Sequence, residues 1–199
     1  CEASLIYESD EEAAKAEELA CELAETYAEE LTPAEPDFSC EISCETNRTA
    51  EAIPQDAAKE FICAMRLAPN GIQKRNIKMD GFVVVSLNLG VVRTEEDRIV
   101  MIFSPRSSVA SLQEDTKERL NTLAETFGFT VSHSSEYPGW SFKEDSPVRE
   151  ICKESYKELF GEDLKIEAIH AGLECGLFSD AIKGLDAIAI GPTIANCHT

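Results

Sequence analysis

The segment His170–Gly176, "HAGLECG", places a histidine, a carboxylate, a thiol and two glycines within seven positions. His170 and Glu174 are four residues apart, the spacing at which two side chains on one helix face can share a metal ion. Gly172 lies between them and favours a tight turn instead, one that lets the main chain approach a ligand and exposes N–H groups at a helix start. On that reading Glu174 opens the helix and is aimed into a cleft. The turn is the stronger expectation from the residues themselves.

The rest of the chain offers few partners for such a site. Its three histidines are His133, His170 and His198. A catalytic zinc takes about three protein ligands, so these alone do not assemble one. His198 follows "GPT" just beyond an expected strand end, and a lone loop histidine is most often surface. His133 ends another expected strand and reads as structural or exposed. Arg106, in "SPRSS", stands between an apolar strand and a helix, where a guanidinium can grip a carboxylate bidentately; an ordinary surface arginine fits equally well. Asn88, inside "VVVSLNLGVV", is of a type depleted in strands and needs a partner or a task. No nucleophile elbow, Walker loop or dinucleotide glycine pattern occurs.

The elements that must hold these residues are read from period and punctuation. "ASLIYES" is expected to be a strand, and "SDEEAAKAEELACELAETYAEEL" a long helix. Ser9 or Asp10 caps that helix, and Leu19, Leu23, Tyr27 and Leu31 repeat every four. "FSCEISCE" alternates as a strand, and "IPQDAAKEFICAMRLA" forms a second helix with a stripe through Ala58, Phe61, Ile62 and Met65. "PNG" marks a turn. "FVVVSLNLGVVR" and "RIVMIFSPR" are two strands joined by "TEED". A serine-capped helix runs to Gly128, its C′ glycine, and "FTVSH" is a further strand. This order describes helices layered on a mostly antiparallel sheet.

At "SSEYPGWSFKED" (134–145) periodicity stops, and a domain crossing is expected there. Beyond it Ser146, Pro147 and Gly161 bracket a helix in the expected N-cap, N1 and C′ order. "LKIEAI" then reads as a strand, "ECGLFSDAI" as a short helix and "GLDAIAIGP" as a buried strand. That rhythm implies a parallel βαβ piece with ligands at the strands' carboxyl ends, where His170–Gly176 and Gly191–His198 fall.

Bulk properties narrow the function. With 18 basic against 38 acidic residues the net charge is −20, which disfavours nucleic acid and anionic membranes as partners. No apolar run approaches membrane-spanning length. The eight cysteines (Cys1, Cys21, Cys40, Cys44, Cys63, Cys152, Cys175 and Cys197) do not form CxxC pairs. Cys21, Cys63 and Cys152 read as small hydrophobes on helices. Cys40 and Cys44 share one strand face too far apart to bond, and reduced thiols in a cytoplasm are expected. The first residue is Cys1 rather than Met and "IANCHT" stops without a helix end, so a segment of a longer protein is expected.

Five segments together, "GFVVVSLNLGVV", "RSSVASL", "EYPGW", "AIHAGLECGLF" and "GLDAIAIGPTIANCHT", resemble segments of the bacterial aminoacyl-histidine dipeptidases, in this order. These PepD-type, or beta-alanyl-histidine, dipeptidases are cytosolic dinuclear zinc peptidases of the M20 clan. The similarity runs over essentially the whole chain, and "HAGLECG" and "GPTI…H" are its specific parts.

The resemblance implies that residues 1–134 form most of a lid and dimerisation domain of α+β type. Residues 135–199 would form the returning α/β portion of the catalytic domain. His198 corresponds to the family's last zinc ligand, and Arg106 to the lid arginine that binds the substrate's terminal carboxylate. Asn88 would face the cleft, and Gly172 and Glu174 would line the pocket that His170 helps to shape. The remaining zinc ligands and the glutamate base of the family lie upstream of the lid, and nothing here matches them. The chain alone is therefore expected to bind zinc weakly and to hydrolyse nothing. A metal-free dimerisation or regulatory module that keeps the fold is the alternative.

Overall fold

The structure, a computed structural model, describes residues 2–45, 51–77, 81–168, 170 and 174–191. Gly172 and His198 lie outside the described residues, as does the "PTIANCHT" segment. The chain divides into two compact units, Cys1–Ala58 and Lys59–Thr199.

The first unit is built on α1 (Asp10–Leu31). Ser9 caps it: its Oγ accepts the Glu12 N–H at 3.3 Å, and Asp10, Glu11 and Glu12 place negative charge at the positive end of the helix dipole. The stripe of Leu19, Leu23 and Tyr27 is exposed, and no residue of α1 is buried. The two segments of this unit expected to be strands, residues 3–9 and 38–45, form no ladder. Their alternation sets an extended local preference, but a strand exists only where a partner completes its hydrogen bonds.

α2 (Gln55–Leu67) follows Pro54, whose carbonyl accepts the Ala58 N–H at 2.9 Å. Its covered face is centred on Ala64, which is fully buried, while Ile62 and Met65 are exposed; the expected stripe is rotated about one position.

The second unit carries an antiparallel sheet in the order β1-β2-β3 (Gly71–Arg75, Val83–Thr94, Ile99–Ser107). The β2–β3 hairpin is the one the sequence indicates. Its link is closed by the Glu95 N–H bonding the Arg98 carbonyl at 2.8 Å, and Glu95 is paired with both Arg93 and Arg98. β1 is additional to the expected elements, because "GIQKR" is poor in β-branched residues; Gly71, at φ +80, makes the turn that "PNG" announces. Register shifts between Leu89 and Val91, where Gly90 supplies the bulge, and Pro105 is accommodated because β3 is an edge strand.

Before the bulge, Val85 and Leu87 of β2 point into the core. Leu87 is 1% exposed and Val85 4%. α3 (Ala110–Thr126) packs on β3, and its Leu112 and Thr116 line one depression with Val85. Its expected serine N-cap is replaced by Val109; Ser107 Oγ instead accepts the Val109 N–H at 3.0 Å, and its hydroxyl bonds the Val109 carbonyl at 2.9 Å.

α4 (Pro147–Phe160) has the anticipated ends: Ser146 Oγ accepts the Arg149 N–H at 3.2 Å, and Gly161 is left-handed at φ +74. α5 spans Glu174–Ala181. Residues 129–133, 164–168 and 185–190, all within segments expected to be strands, are unpaired among the described residues. Tertiary contacts hold residues 185–190 instead. The Asp186 carboxylate accepts the Val148 N–H at 2.9 Å, and the Cys175 thiol lies 3.7 Å from the Ile188 carbonyl. The described cysteines are all free; Cys21 and Cys63, expected among apolar neighbours, are exposed, as are Cys40 and Cys44. No helix among the described residues is long and apolar enough to cross a membrane.

Candidate functional site

The face of the sheet opposite α3 is polar. Ser86 lies directly across from Arg106 in the ladder, and Asn88 across from Ser104, so all four project from the same side. Asn88, Ser104 and Arg106 are exposed, and Ser86 is half-buried. Among the described residues Arg106 has no carboxylate partner and Asn88 no hydrogen bond, although acidic residues outnumber basic ones by two to one. The oddness of Asn88 in a strand therefore has no structural explanation in its own neighbourhood.

His170 joins this face through its ring: Nε2 lies 2.8 Å from Ser86 Oγ, across 84 residues of chain. Burial, and secondarily the Arg106 charge, hold its pKa below the usual histidine value, so the imidazole is neutral near pH 7. Arg106 and His170 are thus close enough to feel each other. Glu174 is the first residue of α5 and is exposed; among the described residues no contact links it to Arg106 or His170. His133 is exposed and bonds Asn121 of α3 at 2.9 Å, a structural role.

Residues 137–141 hold the parts in place. A Cβ at Gly139 would meet the Ser108 carbonyl carbon and oxygen at 2.9 Å, and one at Gly176 would meet the Pro138 carbonyl oxygen at 2.9 Å. Ser141 Oγ donates to the Ser108 carbonyl at 2.7 Å, and Gln113 Nε2 donates to the Tyr137 carbonyl at 3.1 Å. "EYPGW" thus runs between the start of α3 and the body of α5. Sequence reasoning passed over Ser86 and Ser104; the alternation in "VVVSLNLG" does place Ser86 beside Asn88, but its partner His170 is visible only in three dimensions.

An exposed guanidinium, a carboxamide, a neutral imidazole and hydroxyls on one open face are suited to binding a small anion with hydrogen-bonding groups, above all a carboxylate. Among the described residues no carboxylate meets the imidazole of the Ser86–His170 pair, and the nearby Arg106 opposes an imidazolium there. No group of three or more His, Cys, Asp or Glu among the described residues is placed to hold a metal ion. These residues therefore do not by themselves form a metal centre, and no step through one is derived from them.

No family model matches the sequence. The chain is 32% identical over 181 residues to the cytosol non-specific dipeptidase of Escherichia coli (strain K12), an alignment covering 89% of this chain and 37% of that protein. Its fold superposes on the crystal structure of aminoacylhistidine dipeptidase from Vibrio alginolyticus with a TM-score of 0.70 and 32% identity. That match covers 84% of this chain and 35% of that one, so the chain spans little more than a third of either relative. By sequence and by fold, the chain is a homologue of one part of these dipeptidases.

Proposed function

We propose that the chain is the lid and pocket-wall portion of a cytoplasmic zinc-dependent dipeptidase of the M20 type that hydrolyses Xaa-His dipeptides. Residues 1–134 form the lid, through which two copies pair, and residues 135–199 are the C-terminal portion of the catalytic domain. Arg106 grips the terminal carboxylate of the dipeptide and Asn88 bonds its peptide group. His170, Gly172 and Glu174 line the pocket, and His198 contributes one zinc ligand to a two-zinc site completed by residues that this chain does not contain. The chain alone accordingly binds zinc weakly and does not hydrolyse dipeptides.

The observation that carries this reading is the placement of Asn88, Arg106 and His170 on one open polar face, three residues drawn from separate segments and each suited to a dipeptide. Calorimetric titration with alanyl-histidine tests it. The chain should bind the dipeptide, and Arg106→Ala should bind it at least about tenfold more weakly, the loss of a charge-assisted hydrogen bond. Equal affinity in the two proteins, or none in either, would overturn the reading.

A further inference from the structure

The hydroxyl of Ser86 has a role that the carboxylate grip does not use. Its strand position is fixed, because Val85 and Leu87 on either side are among the most buried of the described residues. Directly across the ladder is Arg106. A ring anchored to Ser86 Oγ is therefore delivered to the side of the sheet that carries the guanidinium.

A neutral imidazole carries its proton on one nitrogen and a lone pair on the other, and the partner of each decides which. The Ser86 hydroxyl has a proton to place in a half-buried position. Among the described residues the nearest acceptor for it is Nε2 of His170, at 2.8 Å. If Nε2 carried the hydrogen instead, the serine proton would have no acceptor among the described residues, which costs free energy in a part-buried site. With Ser86 donating to Nε2, the hydrogen of the ring is on Nδ1.

We propose that Ser86 is a positioning residue for His170: it holds Nε2, so that Nδ1–H is the donor offered to an oxygen of a dipeptide bound beside Arg106. This rests on the polar face being a dipeptide site. It assigns to His170 a specific hydrogen bond, and to Ser86 the task of setting the ring's tautomer and orientation.

The test is long-range proton–nitrogen NMR on the chain with 15N-labelled histidine, with the His170 signals assigned by His170→Gln. The wild type should show the Nδ1–H tautomer. Ser86→Ala should reset the ring towards the Nε2–H form and weaken alanyl-histidine binding about five- to tenfold, the worth of one hydrogen bond. Ser86→Thr, which keeps the hydroxyl on a residue that strands accommodate, should restore both.

An unchanged tautomer in Ser86→Ala overturns the proposal. So does a changed tautomer with unchanged dipeptide affinity, since the ring would then be positioned for nothing. These failures differ from failure of the dipeptide reading itself, in which alanyl-histidine perturbs neither His170 nor the Arg106 side chain of the wild type.

Discussion

Gly139 lies against the backbone of Ser108: a methyl group there would stand 2.9 Å from that residue's carbonyl carbon and oxygen. Main chain cannot yield as a flexible side-chain tip does, so a substitution must push residues 138–141 away from the start of α3. The neighbouring Ser141–Ser108 hydrogen bond would be strained at the same time. Gly139→Ala is expected to destabilise the protein by about 1–3 kcal/mol, the range for overpacking a tight contact. Gly191→Ala is the control, since nothing among the described residues lies within 4 Å of the position its methyl would take. Denaturant midpoints of the two variants should separate clearly; coincident midpoints would mean that the Gly139 contact is loose in solution.

The two ends of α4 make independent contributions. Ser146 is buried and satisfies the Arg149 N–H, so Ser146→Ala should cost about 1 kcal/mol, as lost helix caps do. Gly161 occupies the left-handed region at φ +74 with nothing among the described residues within 4 Å of an added methyl, so Gly161→Ala should cost about 1–2 kcal/mol from backbone strain alone. The sites lie at opposite ends of a 14-residue helix and share no partner, so the double variant should show the sum. Thermal unfolding of the four proteins checks this; strong non-additivity would show that α4 frays as a unit.

These helix ends were legible in the sequence for the reason that makes them separable: a cap is a local bargain between residues three or four apart. The β2–β3 hairpin was legible too, because its strands are long, apolar and joined by a short charged link. The extended segments 38–45, 164–168 and 185–190 were not, since alternation identifies a surface ready to pair but not the partner. At the site, Asn88 could be picked out as a residue out of place. The contact that His170 makes could not, because it depends on a serine 84 residues earlier and on the register that puts that serine opposite Arg106.

Gly176→Ala sets two effects against each other. Inside α5 an alanine gains about 1 kcal/mol of helix propensity over glycine. Its methyl, however, would stand 2.9 Å from the Pro138 carbonyl oxygen and 3.4 Å from Trp140 Cβ. The clash is with main chain on one side and should win, moving α5 and the Glu174 at its start. The expected outcome is weaker binding of alanyl-histidine with little loss of helix content by circular dichroism. Unchanged affinity would mean that α5 is not part of the pocket wall.

Asp186 ties the segment 185–190 to α4 and should make that link sensitive to acid. Its Oδ2 accepts the Val148 N–H at 2.9 Å, and this bond is the main reason that its pKa lies below the usual aspartate value; Ser146 and the Lys143 ammonium, 3.6 Å from Oδ1, act in the same direction against burial. A carboxyl with a folded pKa below its unfolded one stabilises fully above the unfolded value, about 3.9 for aspartate. That contribution fades as pH falls through the interval down to the folded value, where protonation removes the charge that the helix start and Lys143 attract. Asp186→Asn should therefore melt at a lower temperature than wild type at pH 7. The difference between the two proteins should shrink as the pH is lowered below about 4. A melting-temperature difference that stays constant from pH 7 to pH 3 would show that the link depends on the shape of the side chain and not on its charge.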